Sequence, residues 1–227
     1  MKQLPLSVRL QDRAVFASFL PGANVEAVAA AQALAAGQGV PLLYLHGVHG
    51  AGRSHLLQAV CAAVPGAGYF PLGELRQLGE SVLEGVAALP LVALDDLDAI
   101  AGAPDWERRL FNLYNECRAA GARLAVAAAV PARDVPVALP DLASRLAAMP
   151  HYALRPLDEG TQREALRLHA AQRGIELPDE TLLYLQRRFA RDMGSLVRLL
   201  DQLDVASLQQ QRRLTPAFIR EVLDARP

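Results

Sequence analysis

Up to Leu154 the chain alternates short apolar runs with longer amphipathic stretches; beyond it only the amphipathic stretches continue. The runs Leu42–Leu45, Gly68–Leu72, Leu91–Leu94, Arg123–Ala129 and Tyr152–Leu154 predict five strands. Their alternation with helical segments predicts an α/β fold, a mostly parallel five-stranded sheet with helices on both faces. Between the third and fourth runs, Trp106, Phe111, Tyr114, Cys117 and Arg118 mark a helix whose apolar side packs on that sheet, with Arg108 and Arg109 facing outward. After Leu154, the segments Thr161–Arg173, Asp179–Arg191, Gly194–Gln210 and Pro216–Ala225 predict consecutive helices, punctuated by Gly174, Pro178, Gly194 and Pro216. Thr161 and Glu164 have capping-box spacing, and Asp179 is placed to cap the next helix. A boundary therefore falls near Arg155-Pro156. It leaves a lead-in over residues 1–24, an α/β domain over 25–155 and a small all-helical domain over 156–227.

The first strand runs directly into Gly47-Val48-His49-Gly50-Ala51-Gly52-Arg53-Ser54, and a helical pattern of Leu56, Leu57, Val60, Cys61 and Val64 follows. This is the spacing of a phosphate loop in the strand, loop and helix order that such a loop requires, with arginine where the pattern has lysine. The glycines let successive backbone N–H groups turn inward, and the helix N-terminus adds its partial positive charge. A di- or triphosphate would therefore be held mainly by main chain from Gly47, Gly50, Ala51, Gly52, Arg53, Ser54 and His55, with Ser54 reaching a magnesium ion. Arg53 keeps the charge of lysine but spreads it over a wide planar fork, unsuited to bridging terminal phosphates. The third run ends in Asp95 and Asp96, the form of a Walker B segment, in which Asp95 helps to hold the metal and Asp96 orients or deprotonates the attacking water. Asp95 to Asp98 could instead simply cap the next helix.

Composition narrows the class. Of 227 residues 52% are hydrophobic and 21% charged, with a net charge of −1, which is globular and supplies no field for non-specific nucleic-acid binding. The arginine clusters Arg187, Arg188, Arg191 and Arg212, Arg213 read as solvated helix faces. The start Met1-Lys2-Gln3-Leu4-Pro5 lacks an apolar signal core, and the alanine-rich run from Ala27 to Ala36 is too short to span a bilayer, so a cytoplasmic protein is expected. Cys61 and Cys117 sit in amphipathic helices and read as buried reduced thiols. His46, His49 and His55 crowd the loop, but a loop wrapped around phosphate cannot also converge on zinc.

An α/β nucleotide domain followed by a helical domain resembles the AAA+ ATPases, whose helical domain is a lid. Five stretches are similar to the DnaA-type replication initiators, and more narrowly to the regulatory homologues in that family: Gln3-Leu4-Pro5-Leu6, Phe16 to Gly22, Gly50-Ala51-Gly52-Arg53-Ser54-His55-Leu56-Leu57, Leu139 to Leu146, and Leu200-Asp201-Gln202-Leu203-Asp204. The resemblance covers the whole chain. It implies a regulator that binds ADP, or ATP, with Mg2+, docks on the DNA polymerase sliding clamp on DNA, and stimulates ATP hydrolysis by the initiator. It further implies that Gln3, Leu4 and Leu6 are clamp-binding residues and that Arg145 is an arginine finger supplied in trans; by this reading the protein reaches the nucleoid through the clamp. Pro5 biases the terminal segment to an extended form suited to a groove.

Departures from the family pattern bear on the chemistry. Ala127-Ala128-Ala129 takes the place of the polar sensor 1 residue and Gly194 that of the sensor 2 arginine, with Arg191 the nearest cation that could substitute. Neither alanine nor glycine can bond a γ-phosphate through a side chain. Together with Arg53 this points to a diphosphate-holding module that is not an efficient ATPase. The chain ends at Pro227 without the helix-turn-helix of the initiators, so no sequence-specific DNA binding is expected, nor a membrane partner. Self-association as a homodimer or larger oligomer is left open. The competing readings are an ATP-hydrolysing initiator-like protein or helicase loader, favoured by the intact Asp95-Asp96 pair, and a DNA-binding module, which the net charge disfavours.

Overall fold

The computed structural model describes residues 14–189, 193–210 and 214–224. Residues up to Arg155 form one compact unit and those from Pro156 another. In the first, β1 (Leu42–His46), β2 (Gly68–Pro71), β3 (Leu91–Asp95), β4 (Arg123–Ala128) and β5 (His151–Ala153) form a single sheet in the order β2-β3-β4-β1-β5. Every pairing is parallel. The strands read as unbroken apolar runs because both faces are covered. Leu42, Tyr44, Val92, Leu94, Leu124 and Val126 point into the core beneath α4 (Pro104–Ala120) and α5 (Pro140–Ala147). The intervening Leu43, Leu45, Leu91, Ala93, Ala125 and Ala127 point into the core beneath α1 (Val25–Ala35) and α2 (Arg53–Ala62).

Several expectations for this unit change: Ala129 and Leu154 fall just beyond the ends of β4 and β5, and β5 begins at His151. Leu72 is not strand but opens α3 (Leu72–Leu75), because Pro71 has no N–H to carry the ladder further. Arg109 does not face outward: its side chain is 13% exposed, donating to both Glu116 oxygens at 2.8 and 2.7 Å and to the Leu83 carbonyl at 2.8 Å. Arg108 is exposed and pairs with Asp105. Cys61 and Cys117 are buried free thiols, with burial pushing the first up to about 12 and the second to about 11. No helix of the described residues is long and apolar enough to cross a membrane.

The second unit consists of α6 (Glu159–Ala171), α7 (Asp179–Phe189), α8 (Met193–Gln210) and α9 (Pro216–Asp224) around Leu166, Leu182, Leu185, Leu196, Leu200, Leu203, Phe218 and Ile219. Its first helix starts two residues earlier than the Thr161 spacing predicts. Asp158 is the cap, accepting from the Thr161 backbone at 2.8 Å and its hydroxyl at 2.9 Å, since a carboxylate accepts both bonds at once. Asp179 likewise is the first residue inside α7 and pairs with Arg167, while the Pro178 carbonyl takes the Thr181 and Leu182 amides.

Candidate nucleotide-binding site

The sheet order places the site. Because β4 lies between β1 and β3, its C-terminal end comes between the loop after β1 and the acids that end β3, and parallel sheets bind ligands at such carboxyl edges. Gly50 and Gly52 adopt φ of 81° and 94°, a conformation that side chains disfavour. Gly52 directly precedes α2 and no side chain caps it, so the first amides of that helix are open to an anion. Two loop glycines also lie under close neighbours. A Cβ at Gly52 would fall 2.8 Å from the Phe19 ring, and one at Gly47 would fall 2.4 Å from the Leu154 carbonyl oxygen. The His55 side chain meets the segment that precedes α1. Its Nε2 lies 3.0 Å from the Ser18 hydroxyl and 3.2 Å from the Val15 carbonyl, and its ring meets Phe19 edge-on at 5.3 Å. Burial lowers its pKa, opposed by the bond to Val15.

Arg53 turns toward the β3 acids. Its guanidinium is 3.6 Å from Asp96 and 3.9 Å from Asp98, its side chain is only 10% exposed, and its buried Nη1 has no hydrogen-bond partner among the described residues. A nearly buried, half-satisfied cation beside open amides fits a phosphate oxygen. Asp96 is the sole described non-glycine residue at positive φ, 54°. Burial first, and Asp95 second, raise its pKa against the pull of Arg53. Asp98 in turn accepts the Ala129 backbone N–H at 2.7 Å, so a carboxylate takes the main chain just beyond β4, where Ala127 and Ala128 are buried and Ala129 brings no polar side chain.

Asp95 is buried and held on both oxygens. It accepts from the Tyr69 hydroxyl at 2.7 Å and from the Asp96 amide at 2.9 Å. The same phenol interacts with Ser54 and Gln58, and burial followed by Asp95 drives its pKa well above the ordinary tyrosine value. Tyr69 thus interacts with both Asp95 and Ser54, and an alcohol and a carboxylate are oxygen donors of the kind that suits a hard cation such as magnesium.

Arg145 lies elsewhere in the same unit, exposed on α5, with its guanidinium carbon 5.8 Å from the Tyr114 ring centroid. Gly194 is in α8 of the second unit; Arg191, and Gln3, Leu4 and Leu6, lie outside the described residues. The motif singled out the loop and the acids. It did not show Tyr69, Phe19 or Tyr114, whose contacts span long stretches of chain and leave no local pattern.

A glycine-rich loop at the edge of a five-stranded parallel sheet, with a separate helical unit, is the architecture of the AAA+ fold. Solved structures share this fold. Domain III of the Thermotoga maritima replication initiation protein DnaA is 22% identical, covering 93% of this chain and 95% of that one at a TM-score of 0.78. AMPPCP-bound DnaA from Aquifex aeolicus is 18% identical, covering 84% and 64% at 0.67, and the Aeropyrum pernix ORC1 protein in complex with DNA is 14% identical, covering 89% and 64% at 0.68. Residues 158–223 match the family model described as Hda, lid domain. The family match covers the helical unit, and the solved structures share the fold of the whole chain.

Proposed function

We propose that this protein is a regulator of replication initiation which holds ADP, docks on the sliding clamp on DNA through Gln3, Leu4 and Leu6, and stimulates ATP hydrolysis by a DnaA-type initiator through Arg145 supplied in trans. The observation that carries the reading is the pairing of Arg53 with Asp96 and Asp98. Arg53 replaces the lysine that bridges terminal phosphates, and Asp96, the acid that would orient water, is turned to that arginine. The loop amides and Arg53 Nη1 would take the phosphates of ADP, while Ser54 and Asp95 would hold a magnesium ion, which when bound supplies charge neutralisation on those phosphates. The site so arranged suits a diphosphate, and among the described residues Ala127, Ala128, Ala129 and Gly194 bring no polar side chain to a γ-phosphate. Hydrolysis is then the partner's, and a guanidinium delivered across an interface is worth roughly 10³–10⁵ in rate in related switches.

The test is turnover of initiator-bound ATP with DNA-loaded clamp. Arg145→Ala is expected to lose most of the stimulation while leaving ADP binding and clamp docking intact, and Asp96→Asn to change the stimulated rate little. Full activity from Arg145→Ala would overturn the reading. So would repeated turnover of ATP by the isolated chain, which would favour an initiator-like ATPase.

A further inference from the structure

Helix α4 presents two side chains toward the element that carries Arg145. Glu107 in its first turn is buried, and its carboxylate accepts the backbone amides of Ala138 at 3.0 Å and Leu139 at 2.8 Å, the residues that lead into α5. Two turns further along, Tyr114 is 7% exposed, and one face of its ring lies beneath the Arg145 guanidinium. The start of α5 is therefore pinned through its backbone, and its exposed arginine rests on an aromatic face.

Arg145 makes no hydrogen bond and no ion pair among the described residues. A guanidinium held over a ring face is attracted by the ring without a hydrogen bond, so its N–H donors stay available to an incoming phosphate. A carboxylate partner would order the side chain equally well but would occupy those donors and oppose transfer to another acceptor. An unheld arginine would keep its donors but would have to be ordered from many rotamers at each encounter. The aromatic seat avoids both costs. The Tyr114 hydroxyl makes no hydrogen bond among the described residues, so the contribution lies in the ring.

We propose that Tyr114 is a positioning residue for Arg145, holding its guanidinium oriented outward for a nucleoside triphosphate bound by a second AAA+ protein. This rests on the reading of Arg145 as an arginine finger. Tyr114 does not itself touch the phosphates. It raises the fraction of encounters in which the finger is already in place, so it acts on the stimulated rate and leaves assembly of the complex unchanged.

The experiment measures stimulated ATP turnover with an initiator, DNA-loaded clamp and the full chain, replacing Tyr114 by phenylalanine and then by phenylalanines of increasing ring fluorination. Fluorination drains charge from the ring face while keeping its size. Tyr114→Phe is expected to match wild type, and the most fluorinated ring to slow the rate by about two- to fivefold, the strength of an exposed contact of this kind, with graded values between. The initiator concentration for half-maximal rate and the melting temperature are expected to stay constant across the series. Tyr114→Leu should fall with the fluorinated variants; should it fail to fold, the fluorination series decides. If Arg145→Ala keeps full stimulation, the finger reading fails and this proposal with it. If Arg145→Ala is inactive while the fluorinated series is flat, or runs faster than wild type, the finger stands and the role of Tyr114 is overturned.

Discussion

Glu107→Gln is a one-atom change whose effect can be worked out from the structure. The Glu107 side chain is 1% exposed and makes no ion pair among the described residues; its buried carboxylate accepts from three backbone N–H donors, Gly102 at 2.7 Å, Ala138 at 3.0 Å and Leu139 at 2.8 Å. Glutamine offers one acceptor oxygen. Its favoured orientation keeps the Gly102 and Ala138 bonds and turns an NH2 group onto the Leu139 amide, leaving that donor buried and unpaired at a cost of about 1–3 kcal/mol. The two surviving bonds weaken by roughly 1 kcal/mol each as the acceptor loses its charge, partly offset by the smaller desolvation of an amide. A net loss of about 2–3 kcal/mol follows, equivalent to roughly 5–10 °C in a domain of this size. Trp106, the single tryptophan, is buried next to Glu107 in sequence and reports on the first unit alone, so its fluorescence during urea or thermal unfolding isolates the effect. Asp105→Asn, at an exposed neighbour, is the control, with less than about 0.5 kcal/mol expected. A Glu107→Gln melting temperature within about 1 °C of wild type would refute the account of how this carboxylate is held.

Four further outcomes are expected. ADP should raise the melting temperature more than ATP at equal concentration, since a ligand stabilises in proportion to its affinity and the γ-phosphate finds few partners; tenfold tighter ATP binding by calorimetry would contradict this. Replacing Gln3, Leu4 and Leu6 together by alanine should abolish clamp binding with nearly unchanged melting temperature and ADP affinity, and normal clamp capture by the triple variant would exclude that segment. Burial lowers the pKa of His55, so the unfolded chain takes up the proton first: stability is complete above about pH 6.5, is lost as the pH falls toward the folded value, and its slope should lessen in His55→Asn, with His46, also lowered by burial, supplying part of the remainder. An identical slope in the variant would argue against it. Cys61 and Cys117, buried with raised pKa, should resist thiol reagents in the native protein and react on denaturation; rapid native labelling of either would show the core to be open.

The strands were legible because burial on both faces makes each one an unbroken apolar run, and the phosphate loop because its chemistry demands glycines at fixed spacing. Helix starts were less so. Asp158 rather than Thr161 caps α6, and Asp179 sits inside α7, because several acids and hydroxyls near a helix start compete for one role and only the backbone geometry selects among them. The inward turn of Arg109 had no signal at all. On the helix pattern it occupies a polar position, and it is the Leu83 carbonyl, distant in sequence, that draws it in. The site divides in the same way. Arg53, Asp95 and Asp96 announce themselves by motif, whereas the turning of Arg53 to Asp96 and Asp98, and the Tyr69 phenol on Asp95, depend on which strands lie side by side.

The close neighbours of Gly47 and Gly52 bear on protein engineering. The loop rests against a carbonyl at the end of the fifth strand and is roofed by a phenylalanine from the segment before the first helix. An eight-residue cassette transplanted into another scaffold would arrive without either surface. A graft that works must carry Phe19 together with the Ser18 and Val15 groups that engage His55, and must find a host backbone that approaches Gly47 as Leu154 does. Within its own chain the loop is open to change at Val48, which is 59% exposed, and closed to it at the glycines beside it.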